Sequence, residues 1–242
     1  MDFKDLLKEK FSLYNIDLSD SQIEGFKTYF NLLKEWNEKF NLTTILNEED
    51  IVVKHFLDSV LCVKSLKNGS KVLDIGSGAG FPALPLKIVN DTLDVTMIDS
   101  VNKKVTFLNE VISKLNLKNA HAYHTRAEDM AKGENREKYD YVVSRAVASL
   151  NTLSEYCLPF VKINGYFVAY KSEKAEEEIE ISNNAIAKLG GKIEKIDEID
   201  LFGAKRKFIY VKKVAHTPNI YPRGKNKPRL DPLKWFIGVF FL

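Results

Sequence analysis

The chain has 242 residues, of which 45% are hydrophobic and 29% charged, which predicts one sizeable globular core with a small accessory subdomain. The net charge is +3, but residues 205–234 carry ten Lys or Arg and one acid, so this segment balances to +9 and the remainder to −6. A basic C-terminal segment suggests a polyanionic partner, although charge alone leaves a solvated tail equally open. Its polar opening and short apolar runs predict neither a signal peptide nor a membrane span, so we expect a cytoplasmic protein.

Residues 1–66 are predicted to form an N-terminal helical extension. Ser19 and Gln22 have the spacing of a capping box. After them, apolar side chains recur at helical spacing at Ile23, Phe26, Phe30, Leu33 and Trp36. We interpret these aromatic rings as helix packing and not as a base-stacking platform. Residues 50–66 again have helical spacing.

From Lys71 onward, the pattern changes to alternating strands and helices. The strands are predicted at residues 71–75, 94–99, 120–124, 139–143, 165–170, 193–200 and 208–214. Helices are predicted at residues 81–89, 101–115, 150–160 and 173–189. This order predicts an α/β domain over residues 67–214, with a mostly parallel sheet whose last two strands pair antiparallel. Residues 215–242 are predicted to be a basic tail with an apolar end.

A glycine-rich turn follows the first predicted strand. Gly76, Gly78 and Gly80 allow a tight turn and a close approach of the backbone to a ligand. Asp99 closes the second strand, where its carboxylate can accept hydrogen bonds from the two hydroxyls of a ribose. The pattern therefore predicts a site for an adenosine-containing cofactor.

The spacing of the glycines distinguishes two classes of cofactor. A dinucleotide site usually has G-x-G-x-x-G facing a pyrophosphate, whereas this loop is G-x-G-x-G followed by Phe81 and a proline. S-adenosylmethionine has no phosphate, but its amino-acid end carries an ammonium group. Asp74, in the preceding strand, is an acid that can face this ammonium. We therefore predict a methyltransferase that binds S-adenosylmethionine, with a nucleotide-binding oxidoreductase as the alternative.

Two further stretches complete the predicted site. Ala127 and Glu128 follow the third strand, where a carboxylate or backbone group can accept from the adenine amine; the alternative for Glu128 is an acid that starts a helix. The fourth strand ends at Ser144 and Arg145. We interpret Arg145 as a residue that orients substrate or cofactor, with a structural salt bridge as the alternative.

The same strand end lacks the residue types that several methylation reactions require. It has no polar-Pro-Pro-aromatic stretch for adenine amino groups and no acid cluster for a catalytic metal. Cys62 and Cys157 are not placed to attack a cytosine ring, and we predict that both are buried free thiols. A guanine N7 needs no general base, because it has a lone pair and no proton. The residues thus permit an N7 acceptor without proving it.

Several stretches together are similar to the ribosomal RNA small subunit methyltransferase G family, formerly called glucose-inhibited division protein B. The cofactor loop at 74–82 is the longest of them. The others lie at residues 36–37, 41–43, 55–59, 99–100, 103–104, 126–128, 144–146 and 221–223. They occur in order between about residue 10 and residue 233.

The resemblance implies a class I S-adenosylmethionine-dependent methyltransferase fold, Rossmann-like, with a seven-stranded mostly parallel sheet and a final antiparallel strand. It implies methyl transfer to N7 of one guanine in the 530 loop of 16S rRNA, with the rRNA or the small ribosomal subunit as partner. The implied cofactor contacts are Asp74, Gly76, Gly78, Gly80, Phe81, Asp99, Ser100, Ala127, Glu128 and Arg145. The basic residues Arg223, Lys225, Lys227 and Arg229 would face RNA phosphates.

Some alternatives remain at this point. The acceptor could be another RNA position, or the chain could be an RNA-binding assembly factor without catalysis. We expect a monomer with neither a metal nor a membrane partner. His55 is interpreted as a hydrogen-bonded structural histidine and not as a catalytic one. Family members usually stop near Leu233, whereas this chain continues with an apolar stretch to Leu242.

Overall fold

The computed structural model describes residues 2–145, 148–173 and 175–233. They form two compact units, of which the first ends at Arg126 and the second begins at Ala127. This boundary lies inside the predicted α/β domain, and the division into residues 1–66, 67–214 and 215–242 stays a prediction. The predicted apolar end of the tail lies outside the described residues.

The first unit opens with helices. These are α1 (Phe3–Ser12), α2 (Asp20–Phe40), α3 (Glu48–Ile51), a π-helix (Val52–Leu57), α4 (Asp58–Val60) and a 3₁₀ turn (Val63–Ser65). The predicted capping box is confirmed, since the Ser19 hydroxyl accepts the N–H of Gln22 and the Gln22 side chain accepts the N–H of Ser19. The helix ends at Asn41, whose left-handed backbone closes the last turn.

Three parallel strands of the first unit carry the loops that matter for function. They are β1 (Lys71–Ile75), β2 (Asp94–Asp99) and β3 (Ala120–His124), with α5 (Ala83–Val89) and α6 (Asn102–Lys114) between them. Ile75 pairs with Ile98. Gly76, directly after β1, and Asp99, the last residue of β2, therefore lie at the same edge of the sheet.

The second unit contains the remaining strands. It comprises α7 (Ala127–Met130), β4 (Tyr139–Arg145), α8 (Leu150–Cys157), a 3₁₀ turn (Leu158–Phe160), β5 (Val161–Ser172), α9 (Ala175–Lys188), β6 (Gly191–Leu201), β7 (Ala204–Lys213) and α10 (Lys227–Leu230). β4 and β5 are parallel, whereas β7 is antiparallel to both β5 and β6. The seven strands have the order β3-β2-β1-β4-β5-β7-β6. The predicted fold class, with its final antiparallel strand, is confirmed.

Each unit has its own aromatic core. Phe11, Phe26 and Phe56 are fully buried in the first, and Phe167 and Phe208 are fully buried in the second. The interpretation of the α2 aromatic rings as helix packing is confirmed for Phe26 and Phe30, which are both buried. Cys62 and Cys157 are free and buried, as predicted.

The predicted helix over residues 50–66 needs a correction. This stretch contains a short α-helix, six residues of π-helix, a single α-turn and a 3₁₀ turn. Apolar spacing reports which face of a helix is buried, but it does not resolve a wider or a tighter turn within the same segment. None of the helices in the described ranges has the length and apolar character needed to cross a membrane.

Candidate functional site

The glycine loop links β1 to α5 through three left-handed residues. The φ angles of Gly76, Gly78 and Gly80 are +75°, +59° and +98°. The N–H groups of Gly76 and Ser77 both donate to the carbonyl of Ile98, at 2.9 and 3.1 Å. These bonds tie the loop to the end of β2. A side chain would be strained at each of the three glycines, because L-residues rarely adopt positive φ.

Asp99 holds the same loop from the neighbouring strand. Its side chain is buried, with Oδ2 accepting the N–H of Gly78 at 3.0 Å and Oδ1 accepting the N–H of Val101 at 2.9 Å. The Lys104 ammonium lies 3.8 Å from Oδ2. Each carboxylate oxygen has two acceptor positions, so these bonds leave capacity for the two hydroxyls of a ribose. Ser100 follows as an exposed residue whose carbonyl lies 3.0 Å from Nε2 of His124.

Asp74 lies beneath the loop and is fully buried. Its Oδ2 accepts the N–H of Ala83 at 3.4 Å, at the first residue of α5. Negative charge is favourable at a helix N-terminus, because the first N–H groups of the helix have no partner within it. The predicted contact between Asp74 and a cofactor ammonium stays a prediction.

An aromatic cluster supports Phe81, which ends the glycine loop. The ring of Phe81 stacks on His55 with centroids 4.4 Å apart, and the ring of Tyr29 lies 5.6 Å away. The Tyr29 hydroxyl donates to the carbonyl of Ala79 within the loop. Nε2 of His55 is 2.8 Å from the Thr43 hydroxyl, which confirms the interpretation of a hydrogen-bonded histidine.

Sequence reasoning missed Tyr29. The only signal was its position three residues after Phe26 on the buried face of α2, which does not separate it from a packing residue.

The second unit contains the other predicted cofactor residues. Ala127 and Glu128 begin α7, and both are buried. Oε1 of Glu128 accepts the N–H of Asn226 at 3.3 Å. Arg145 is the last residue of β4 and is half-buried. The structure therefore places Glu128 against the C-terminal segment, while the cofactor role of all three residues stays a prediction.

The predicted RNA-contact residues differ in their surroundings. Lys225, Lys227 and Arg229 are exposed, and no ion pair connects them to other residues within the described ranges. Arg223 is half-buried and engages the fully buried carboxylate of Glu155. The Glu155 hydrogen bonds raise the pKa of the Arg223 guanidinium. An RNA-contact role for all four stays a prediction.

Within the described part of the chain, no group of three or more His, Cys, Asp or Glu side chains could hold a metal ion.

The fold and the loop together define a class of protein. A structure titled as an S-adenosylmethionine-dependent methyltransferase from Aquifex aeolicus has a TM-score of 0.51 at 22% identity, covering 67% of this chain and 92% of that one. A TYW2 from M. jannaschii in complex with AdoMet has a TM-score of 0.53 at 19% identity, covering 65% and 77%. The architecture is that of a class I S-adenosylmethionine-dependent methyltransferase. Within this class, the chain belongs to the rRNA small subunit methyltransferase G family, whose model matches residues 22–208.

Relatives match almost the whole chain. The ribosomal RNA small subunit methyltransferase G of Clostridium botulinum (strain Alaska E43 / Type E3) is 46% identical over 97% of this chain and 100% of its own length. The protein of the same name from Desulforamulus reducens is 47% identical over 94% and 97%. The predicted class, an S-adenosylmethionine-dependent methyltransferase acting on rRNA, is confirmed, and the oxidoreductase alternative is excluded.

Proposed function

We propose that the chain transfers a methyl group from S-adenosylmethionine to N7 of a single guanine in the 530 loop of 16S rRNA. The observation that carries this proposal is the family match over residues 22–208, which contains the glycine loop, Asp99 and the end of β4. The relatives are named as small-subunit rRNA methyltransferases, which supports an acceptor in that RNA.

The first unit supplies the proposed contacts to the cofactor's ribose and amino-acid end. Asp99 accepts hydrogen bonds from the ribose hydroxyls with the lone pairs left by Gly78 and Val101. Ser100 lies beside it, and Phe81 lines the pocket at the end of the loop. Among the described residues beyond its chain neighbours, only the Gly76 carbonyl would lie within 4 Å of a Cβ added at Gly78, which supports room for a ligand at this part of the loop.

The amino-acid end of the cofactor is assigned to the loop backbone and to Asp74. A buried carboxylate is costly unless positive charge or N–H groups surround it. The α5 N-terminus supplies one such N–H from Ala83. In this proposal the cofactor ammonium supplies positive charge near Asp74, which is fully buried at its strand position.

The adenine and the acceptor base are assigned to the second unit's residues. Ala127 and Glu128 contact the adenine edge, and Arg145 orients the guanine or the cofactor carboxylate. Residues 142–148 contain no acid, histidine or cysteine. That composition suits N7, whose lone pair attacks without prior loss of a proton.

Bound S-adenosylmethionine supplies an electrophilic methyl group on its sulfonium. The chain's own contribution is then to align N7 with that methyl group and to exclude water from the site.

The C-terminal segment is assigned to RNA. Lys225, Lys227 and Arg229 present exposed cations, which suit phosphate oxygens and give salt-dependent affinity. Three further predictions, on the substrate, the oligomeric state and the location, belong to the same proposal. They are that the substrate is 16S rRNA or a small-subunit particle, that the protein acts as a monomer, and that it acts in the cytoplasm. The predicted domain division, with residues 215–242 as a basic tail, is part of this proposal.

The test is methyl transfer from labelled S-adenosylmethionine to small subunits from a strain that lacks this gene, with the label located by nuclease mapping. Gly76→Asp is the inactive variant, because it puts a charged side chain at a positive-φ position of the loop. Gly203→Asp is the matched control, since Gly203 also has positive φ (+84°) but has open space around its Cβ position.

We expect label at one guanine N7 in the 530 loop with wild type and Gly203→Asp, and none with Gly76→Asp. Label at a different nucleotide would move the activity to another RNA position. RNA binding without label on particles or free rRNA would leave a non-catalytic assembly factor.

A further inference from the structure

Glu155 and Arg223 form an ion pair in the second unit that several hydrogen bonds reinforce. Glu155 is fully buried in α8. Its Oε1 accepts the backbone N–H and the Nε–H of Arg223, both at 2.8 Å, and its Oε2 accepts Nη2–H at 2.7 Å. Nη2 also donates to the Asp231 carbonyl at 2.8 Å. Nε and Nη2 of the guanidinium therefore bond to protein partners, and Nη1 lies 3.6 Å from Oδ2 of Asp231.

The chain on either side of Arg223 is fixed to the same unit. Upstream, Arg136 donates to the carbonyls of Tyr221, at 2.8 Å, and Thr217, at 2.7 Å. Downstream, Asn226 has a left-handed backbone, and its side chain accepts from the Tyr156 hydroxyl at 3.2 Å. The Thr152 hydroxyl donates to the Pro228 carbonyl at 3.0 Å, so residues 217–228 follow a defined path. Three of the predicted RNA contacts lie in this segment, and the fourth, Arg229, follows directly after it.

The orientation of the charges divides the four basic residues into two groups. Arg223 points to a buried acid, whereas Lys225, Lys227 and Arg229 remain exposed on the next turns of the same segment. Burying a carboxylate is repaid only when its partner has good geometry and satisfies the remaining lone pairs. Here the pair meets both conditions.

We infer that Glu155 and Arg223 are positioning residues, which hold the three exposed cations in place for RNA phosphates, and that Arg223 is not itself a phosphate contact. This inference rests on the proposed function, since it assumes that the segment binds RNA. It assigns a role to Glu155 and changes the one predicted for Arg223.

The test compares Glu155→Gln with Arg223→Lys by the Kd of an RNA hairpin with the 530-loop sequence. Removing an acid near an RNA-binding surface should tighten RNA binding on charge grounds alone, so a weaker affinity for Glu155→Gln indicates positioning. Lysine keeps the charge and binds phosphate well, but it lacks the planar fork that Glu155 engages. We expect both variants to bind the hairpin about tenfold more weakly than wild type.

A second set of measurements distinguishes positioning of the exposed cations from a purely structural role of the pair. We expect S-adenosylhomocysteine affinity and kcat to stay near wild type, with the KM for RNA raised, and the double variant Glu155→Gln/Arg223→Lys to be no worse than either single one. If cofactor binding is lost along with RNA binding, the Glu155–Arg223 pair serves only the stability of the fold, and the inference is overturned. Should Glu155→Gln fail to fold, the milder Arg223→Lys decides by itself.

The opposite outcome is equally distinct. If Glu155→Gln binds RNA as well as or better than wild type, and Arg223→Lys is unchanged, Arg223 acts as a phosphate contact and the inference is wrong. Failure of the proposed function gives a different result, because wild type itself would then leave the 530 loop unlabelled.

Discussion

The carboxylate of Asp99 accepts the backbone N–H of Gly78 at 3.0 Å. The acid assigned to the cofactor's ribose is therefore also the group that fixes the middle of the glycine loop. Binding and loop geometry depend on one side chain, and its removal should affect both.

We expect Asp99→Ala to weaken S-adenosylhomocysteine binding by about 1.5–3 kcal/mol, or roughly 10- to 150-fold, which is the range for hydrogen bonds to a charged group. Isothermal titration calorimetry measures it. Asp17→Ala is the control, because Asp17 is an exposed acid of the same unit. Unchanged affinity in Asp99→Ala would remove the ribose assignment.

Gly80→Ala should destabilise the protein more than Gly203→Ala. Both glycines have positive φ, at +98° and +84°. A Cβ at Gly80 would meet Leu84 and would lie 2.8 Å from the Tyr29 hydroxyl. At Gly203, no described residue beyond the chain neighbours comes within 4 Å of such a Cβ. The φ cost of about 1–2 kcal/mol is common to both, and the overlap adds to it only at Gly80. Thermal unfolding compares them, and equal losses would contradict the crowding.

Lys213 should make stability rise with pH in the alkaline range. Burial lowers the pKa of Lys213 to about 8 from its ordinary 10.5, against the partly compensating Glu137. Between these values the unfolded chain binds more protons than the folded one, so the free energy of unfolding increases as pH rises from about 8 to 10.5. Below pH 8 both states are protonated at Lys213, and this dependence on pH levels off.

From pH 7.5 to 9.5, wild type should gain about 2 kcal/mol relative to Lys213→Met, because the variant lacks this titration. Urea unfolding at the two pH values gives the difference. Lys64→Met, at an exposed lysine, serves for comparison and should follow wild type. A parallel course of wild type and Lys213→Met would show that Lys213 keeps an ordinary pKa.

Replacing Lys225, Lys227 and Arg229 together by alanine should reduce the salt dependence of RNA binding. Each phosphate contact contributes about 0.7–0.9 to the slope of log K against log salt, so the loss should be roughly 2–3. The triple alanine variant of Lys64, Lys67 and Lys118 makes the same change in charge at exposed lysines of the first unit. Equal slopes in the two triple variants would mean that net charge, and not this segment, sets RNA affinity.

Much of the sheet was predictable because strands such as β1 and β2 are short, mostly apolar runs bounded by turn residues. β2 begins and ends where the pattern predicted, at Asp94 and Asp99. β5 was predicted from 165 to 170 but extends from Val161 to Ser172. Gly165 explains the difference: it resembles a turn residue in the sequence, yet a Cβ there would lie 2.6 Å from the Asp140 carbonyl. It marks close backbone packing of β5 against β4.

The cofactor loop was predictable and its supports were not. Glycines and acids beside strand ends indicate a site through local spacing alone. Glu155 and Arg223 are 68 residues apart. Glu155 lies in α8, whose sequence indicates only a helix that packs against the core. Which buried acid meets which arginine depends on the tertiary arrangement, and periodicity contains no information about it.

Because Tyr29 donates a hydrogen bond to the Ala79 carbonyl, loss-of-function mutations are expected in the codons of α2 as well as in those of the glycine loop. A substitution in α2 can disturb the glycine loop while leaving every loop residue intact. In a selection for inactive alleles, changes at Tyr29 should therefore appear alongside changes at Gly76 and Gly80. Their phenotype would be one of impaired cofactor use, although their codons lie about fifty positions upstream of the loop.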